Sequence, residues 1–181
     1  MKFIPSKIPD VIRVEPKIFG DERGFFMESY REKKFANHGI NDRFVQDNVS
    51  FSKKGTIRGL HYQIENPQAK LVMVTSGRIL DVAVDIRKES KTFGQVVAIE
   101  LSEENRNQLY IPVGFAHGFE VLSEEALFIY KCSDYYNPDG ERGIAWNDPQ
   151  LNIPWQTSTP IISEKDKNNP LLKDLENSDL F

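Results

Sequence analysis

Chemistry concentrates in three stretches of the chain: Thr56-Ile-Arg-Gly-Leu-His-Tyr-Gln63, Gln68-Ala-Lys-Leu-Val72 and Tyr110-Ile-Pro-Val-Gly-Phe-Ala-His-Gly-Phe119. They supply two imidazoles, His61 and His117, of the type that exchanges protons near neutral pH or ligates a metal. Lys70 opens an apolar run, where a buried cation is expensive unless it faces an anion or a polar cavity. Its plainer reading is a strand-edge lysine. Tyr130 also lies in an apolar run, with a hydroxyl that can point into the interior or be satisfied in the core. Gln46 and Asn48 are two residues apart, so on one strand both reach the same face and can bond one ligand. Cys132 is the single cysteine. No disulfide can form within the chain, which fits a reducing compartment, and the plain reading of Cys132 is a small half-buried apolar residue.

These groups need a scaffold, and the pattern around them is that of many short strands. Period-two alternation and β-branched residues recur in runs bounded by Gly, Pro, Asn or Asp. The expected strands are Val11 to Phe19, Phe25 to Tyr30, Phe44 to Ser52, Thr56 to Gln63, Leu71 to Ser76 and Arg78 to Arg87, followed by Gln95 to Leu101, Gln108 to Ile111, Gly118 to Leu122, Ala126 to Tyr135 and Gly143 to Trp146. So many short strands suit an all-β sandwich or barrel. Helix signals are few. Glu32 to His38, stopped by Gly39, holds one or two turns, and Ser102 can cap a turn through Asn105. The tail from Ser163 is polar and broken by Pro170, with Leu171, Leu172, Leu175 and Leu180 as anchors for short helices lying across the barrel.

The 181 residues suit one domain, 1–181. A formal charge of -4 argues against broad nucleic-acid or anionic-membrane binding, although a local basic pocket stays open. The first twenty residues mix charges with short apolar stretches, so no signal-peptide core is read there, and no later run reaches membrane-spanning length. The expected location is the cytoplasm.

The glycine and histidine spacing is similar to that of the cupins. Gly55, His61, Gln63, Lys70 and Gly77 follow the order of the first cupin motif, with a slightly longer gap before Lys70. Pro112, Gly114 and His117 match the second, with Arg106 at its usual leading glycine and Val121 at its usual final asparagine. A cupin metal needs neutral imidazoles and a carboxylate converging on one ion, whereas Gln63 is a weak ligand and Lys70 a cation. No metal is expected. His61 and His117 are the ligands that would survive if one bound.

Beyond this, the chain resembles the dTDP-4-dehydrorhamnose 3,5-epimerase family from about Ile18 to Leu172. The resemblance rests on Asp21-Glu-Arg-Gly-Phe-Phe-Met-Glu28, Gln46-Asp-Asn48, Ile57-Arg-Gly-Leu-His61, Ala69-Lys70 and Asp81-Val-Ala-Val-Asp-Ile-Arg87. It continues through Gly114-Phe-Ala-His-Gly-Phe119, Tyr130-Lys131, Tyr136-Asn-Pro138, Trp146-Asn-Asp-Pro149 and Ser163-Glu-Lys-Asp166. It implies a cupin-like double-stranded β-helix, or jelly roll, with a few short C-terminal helices. It further implies an isomerase that uses no cofactor and acts on a nucleotide-linked 4-keto-6-deoxyglucose. The hydrogens at carbons 3 and 5 of that sugar flank the ketone, and loss of either gives an enolate. Such chemistry needs a base, an oxyanion stabiliser and an acid on the opposite face.

By the same resemblance His61 is the base and Asp166 accepts its other ring N–H. Tyr130 is the proton donor, and Lys70 faces the carbon 4 oxyanion. Arg23, Arg58 and Lys165 take the phosphates, Tyr136 stacks on the thymine, and Glu28, Gln46, Asn48, His117 and Glu141 contact the substrate. Family dimers lay an N-terminal segment across the partner's barrel, which makes Phe19 a contributor to a neighbouring site and a homodimer the expected assembly. Plainer readings stand beside these. His61 and His117 can be hydrogen-bonded barrel residues, Asp166 a surface residue of a turn capped by Ser163, Arg23 a turn residue after Asp21, and Glu28 and Glu141 solvated carboxylates. Three activities stay open at this point: the epimerase, acting at two carbons or at carbon 3 alone; a metal-dependent cupin enzyme; and a noncatalytic sugar-binding barrel.

Overall fold

The computed structural model describes all residues, Met1–Phe181. Eleven strands build two antiparallel sheets. In chain order they are β1 (Lys2–Pro5) and β2 (Ile12–Glu15), then, after an N-terminal hairpin of β3 (Ile18–Asp21) and β4 (Gly24–Met27) and a short helix α1 (Glu32–Ala36), β5 (Gln46–Lys53), β6 (Ile57–Gln63), β7 (Lys70–Ser76), β8 (Arg78–Asp85) and β9 (Val96–Ser102). The last four are β10 (Gln108–Ile111), β11 (Phe115–Val121), β12 (Glu125–Cys132) and β13 (Glu141–Gly143). One sheet runs β1-β2-β10-β7-β12-β5, and the other β13-β6-β11-β8-β9. This is the expected all-β, cupin-like jelly roll.

The core follows from strand alternation. Ile79 and Ala83 of β8 join Val72 and Val74 of β7 and Phe119 of β11 between the sheets. The intervening Leu80, Val82 and Val84 face the other way, onto a second cluster closed by Ile144, Leu151, Leu172 and the half-buried Phe181. Strand β8 is therefore apolar on both faces, which is why its sequence reads as a nearly continuous hydrophobic run. The tail beyond Ser163 supplies that outer cover as α2 (Glu164–Lys167) and two 3₁₀ turns, as its leucines imply. At the β7–β8 turn, Gly77 adopts φ +80°, and a Cβ there would lie 2.1 Å from the Glu125 carbonyl, so only glycine fits.

Several boundaries differ from expectation, each for a local reason. The run Val11 to Phe19 splits into β2 and β3 because Pro16 has no N–H to give to a ladder. Strand β11 starts at Phe115 rather than Gly118; the Ala-His-Gly stretch resembles a turn in sequence but pairs fully with β8. Strand β12 stops at Cys132, and β13 lies at Glu141–Gly143 rather than Gly143–Trp146, because Asn137 to Gly140 turn early and bring Glu141 opposite Gln63. The charged pair Lys2 and Glu15 hides β1 in the sequence, although it pairs with β2 along its whole length.

Candidate active site

His61 on β6 and His117 on β11 are paired in register, so both side chains enter the same interior. The two strands approach closely at this point. A Cβ on Gly59 would lie 2.7 Å from the Cα of Gly118, and Gly59 adopts φ +117°.

Each imidazole has its own carboxylate. His61 Nε2–H donates to Asp166 Oδ1 at 2.6 Å, leaving Nδ1 without a protein partner. The second Asp166 oxygen accepts the Gly59 N–H at 3.2 Å. Ser163 does cap α2, its Oγ accepting the Asp166 N–H at 3.1 Å, yet Asp166 is buried rather than a surface residue of that turn. Burial by itself would raise the Asp166 pKa. The His61 hydrogen bond and charge, together with the Gly59 and Ser163 bonds, outweigh it and hold the carboxyl below its ordinary value. The carboxylate is thus present at neutral pH and fixes the His61 ring and tautomer. On the other side, His117 Nε2 lies 3.1 and 3.0 Å from the two oxygens of buried Asp81 on β8.

A cavity of about 640 Å³ opens beside these pairs, with His61, Lys70, His117 and Tyr130 around it and Phe119 and Phe128 as an apolar wall. A smaller one of about 260 Å³ is lined by Gln46, Asn48, Gln63, Tyr136 and Glu141. His61, Lys70 and Tyr130 line both, so they stand where the two cavities meet. Burial pushes the Lys70 ammonium pKa down, against the opposing influence of Cys132, Asp81 and Glu141. Burial likewise raises the Tyr130 phenol, which keeps its proton at neutral pH.

Cation-bearing side chains line the larger cavity as well. Arg58 is held by Nε to Ser52 Oγ at 3.0 Å and by Nη2 to the Phe51 carbonyl at 3.4 Å, which leaves Nη1 free for an anion. Lys165 pairs with Glu141 at 2.5 Å, and the same Glu141 oxygen accepts the Tyr136 hydroxyl at 2.7 Å. Burial would raise Glu141, but the bonds from Lys165 and Tyr136 and the charges of Lys165 and His61 bring it below its ordinary value. Gln46 and Asn48 do share one face, linked by a 3.1 Å bond from Gln46 Nε2 to Asn48 Oδ1.

Three expected site residues are not brought to these cavities by the single chain. Phe19, Arg23 and Glu28 belong to the β3–β4 hairpin and the segment after it, and none lines either cavity. Arg23 pairs with Asp21 at 2.5 Å, the turn contact that its sequence position allows. Glu28 bonds Arg31 and Lys34. The hairpin leaves Phe19 at 53% and Phe26 at 70% exposure.

Sequence reasoning missed the orienting partners. Asp81 and Ser52 were given no part in holding His117 and Arg58, although Asp81 and Asp85 recur at strand alternation in an apolar run, a signal for inward carboxylates. Gln63, weighed as a weak metal ligand, turns its amide to backbone instead. Nowhere do three side chains of metal-ligating type converge.

A two-sheet barrel that presents a carboxylate-held imidazole, a protonated phenol and an ammonium to one cavity is a cupin-like protein equipped for proton transfer. The family model for dTDP-4-dehydrorhamnose 3,5-epimerase matches residues 5–174. Among curated proteins, the dTDP-4-dehydrorhamnose 3,5-epimerase of Shigella flexneri is 53% identical over 97% of this chain and 98% of its own length. A 3,5-epimerase structure from Legionella pneumophila in complex with dTDP-4-keto-L-rhamnose superposes with a TM-score of 0.97, at 51% identity, over 99% of this chain and 96% of that one. A 3'-monoepimerase from Streptomyces bikiniensis in complex with dTDP-quinovose is 34% identical over 93% of this chain and 87% of its own, with a TM-score of 0.87. The chain belongs to the dTDP-4-dehydrorhamnose 3,5-epimerase family and is an isomerase.

Proposed function

We propose that this chain converts dTDP-4-keto-6-deoxyglucose to dTDP-4-keto-L-rhamnose by inverting carbons 3 and 5, in dTDP-rhamnose biosynthesis. The observation that carries the reading is the 2.6 Å bond from His61 to buried Asp166 at the meeting of two cavities that also expose Lys70 and Tyr130. His61 Nδ1 takes the proton beside the ketone, and Asp166 stabilises the imidazolium that forms. The electron pair moves onto the carbon 4 oxygen, where the Lys70 ammonium meets the new charge. Tyr130 returns a proton to the opposite face of the carbon. Solvent then reprotonates the phenolate and takes the proton from His61, so each inversion leaves the enzyme unchanged.

Arg58 and Lys165 suit the two phosphates, and Tyr136 offers a ring for the thymine. His117, with Nε2 committed to Asp81, has Nδ1 left for the sugar. Gln46, Asn48 and Glu141 line the smaller cavity as further polar contacts. For Phe19, Arg23 and Glu28 the supporting fact is the apolar hairpin standing exposed while β5 forms a free sheet edge; in a homodimer these residues reach the partner's site. A free Cys132 accords with the cytoplasm. Identity of 53% to a 3,5-epimerase, against 34% to the 3'-monoepimerase, favours action at both carbons.

The test is product formation from dTDP-4-keto-6-deoxyglucose before and after dialysis against EDTA. The expected result is dTDP-4-keto-L-rhamnose at equal rates. Activity lost on dialysis and restored by a divalent ion would replace this reading with a metal-dependent one.

A further inference from the structure

The amide of Gln63 is spent entirely on backbone, and the backbone it holds carries Tyr136. Gln63 ends β6 and is 5% exposed. Its Nε2 donates to the carbonyls of Asn66 at 2.7 Å and Tyr135 at 3.2 Å, with the Glu65 carbonyl at 3.5 Å. Its Oε1 accepts the Asn137 N–H at 3.0 Å. Three carbonyls at one end and an N–H at the other define which end is which.

Residues 135 and 137 flank Tyr136, whose own N–H donates to Gln46 Oε1 at 3.0 Å. The two peptide groups on either side of Tyr136, 135–136 and 136–137, are therefore fixed by side-chain amides in a segment that no strand supports, since β12 has ended and β13 has not begun. The Tyr136 ring is 55% exposed, so little packing locates it. Beyond the backbone, only the bond from its hydroxyl to Glu141 holds the side chain.

We propose that Gln63 is a positioning residue for nucleotide binding, one that presets the Tyr136 ring through the backbone on either side of it, with Gln46 completing the clamp. This rests on the reading of Tyr136 as the base-stacking residue. Glutamine is suited to the task because one planar amide both donates and accepts. Glutamate accepts only, and methionine donates nothing and accepts only weakly. A separate tether, Gln68 Nε2 to the Asp134 carbonyl at 2.9 Å, keeps the loop attached when the Gln63 contacts are cut.

A double-mutant cycle read by calorimetric titration with dTDP tests this. Tyr136→Ala is expected to weaken dTDP binding about tenfold, the scale of losing a base stack. Gln63→Met is expected to cost about as much, with the loss falling on KM rather than kcat. In the double variant dTDP should bind no worse than in Tyr136→Ala alone. Gln63→Glu, which keeps the volume and the acceptor but loses the donor, serves as the second variant if Gln63→Met does not fold. Unchanged dTDP affinity in a folded Gln63 variant overturns the inference, as do losses that multiply in the double variant. Unchanged affinity in Tyr136→Ala removes the stacking reading and the inference with it.

Discussion

Replacing His61 with asparagine is expected to cut turnover by about a thousandfold, within the range a general base contributes, while dTDP binds within about twofold of wild type. The asymmetry follows from geometry. Asp166 keeps the Gly59 N–H and Ser163 still caps α2, but the shorter asparagine amide stands near the Nδ1 position, does not reach Asp166 from the place of Nε2, and has no basicity with which to take the proton. Arg58, Lys165 and Tyr136 make their contacts elsewhere, to Ser52 and Glu141, and do not depend on the imidazole. Steady-state rates and a dTDP titration on the same preparation check both halves. Near-normal turnover would remove His61 as the base.

Tyr130→Phe is expected to separate two events that wild type couples. Proton removal needs only His61, and it persists as exchange of substrate hydrogen with solvent. Inversion needs a proton delivered to the other face, and formation of the epimerised product should fall about a hundredfold or more. The substitution removes one oxygen from a ring packed 5.4 Å from Phe128, so the barrel interior keeps its shape. Burial holds the wild-type phenol protonated, the state in which it can donate. Proton NMR of substrate and product in deuterated water reads exchange and inversion together. Normal product formation by this variant would deny Tyr130 the donor's part.

The strand pattern and the inward groups on single strands were legible because alternation is a local property. Gln46 and Asn48 share a face as their spacing requires, and Arg78 to Arg87 was legible as a strand, its burial on both faces emerging with the fold. Pairings across the fold were not local. Asp166 and His61 are 105 residues apart, and only the family resemblance joined them before the fold did. Asp81 and His117 meet through the register of β8 against β11, and no spacing in one strand reveals register against another. Gln63 was weighed only as a poor metal ligand, and its backbone role was not legible because its partners lie in loops, one of them 72 residues further along the chain. The hairpin residues Phe19, Arg23 and Glu28 were legible as motif but not as geometry, since one copy of the chain does not bring them to its own cavity.

The central claim is proton removal beside a ketone by His61, and isotope exchange reads it most directly. Wild-type protein is incubated with dTDP-4-keto-6-deoxyglucose in deuterated water, with His61→Asn alongside, and deuterium is located by proton NMR. The expected result is deuterium at carbons 3 and 5 with wild type and at neither with the variant. Deuterium at carbon 3 alone would make the chain a single-site epimerase. No exchange at either carbon by folded wild-type protein would contradict the claim.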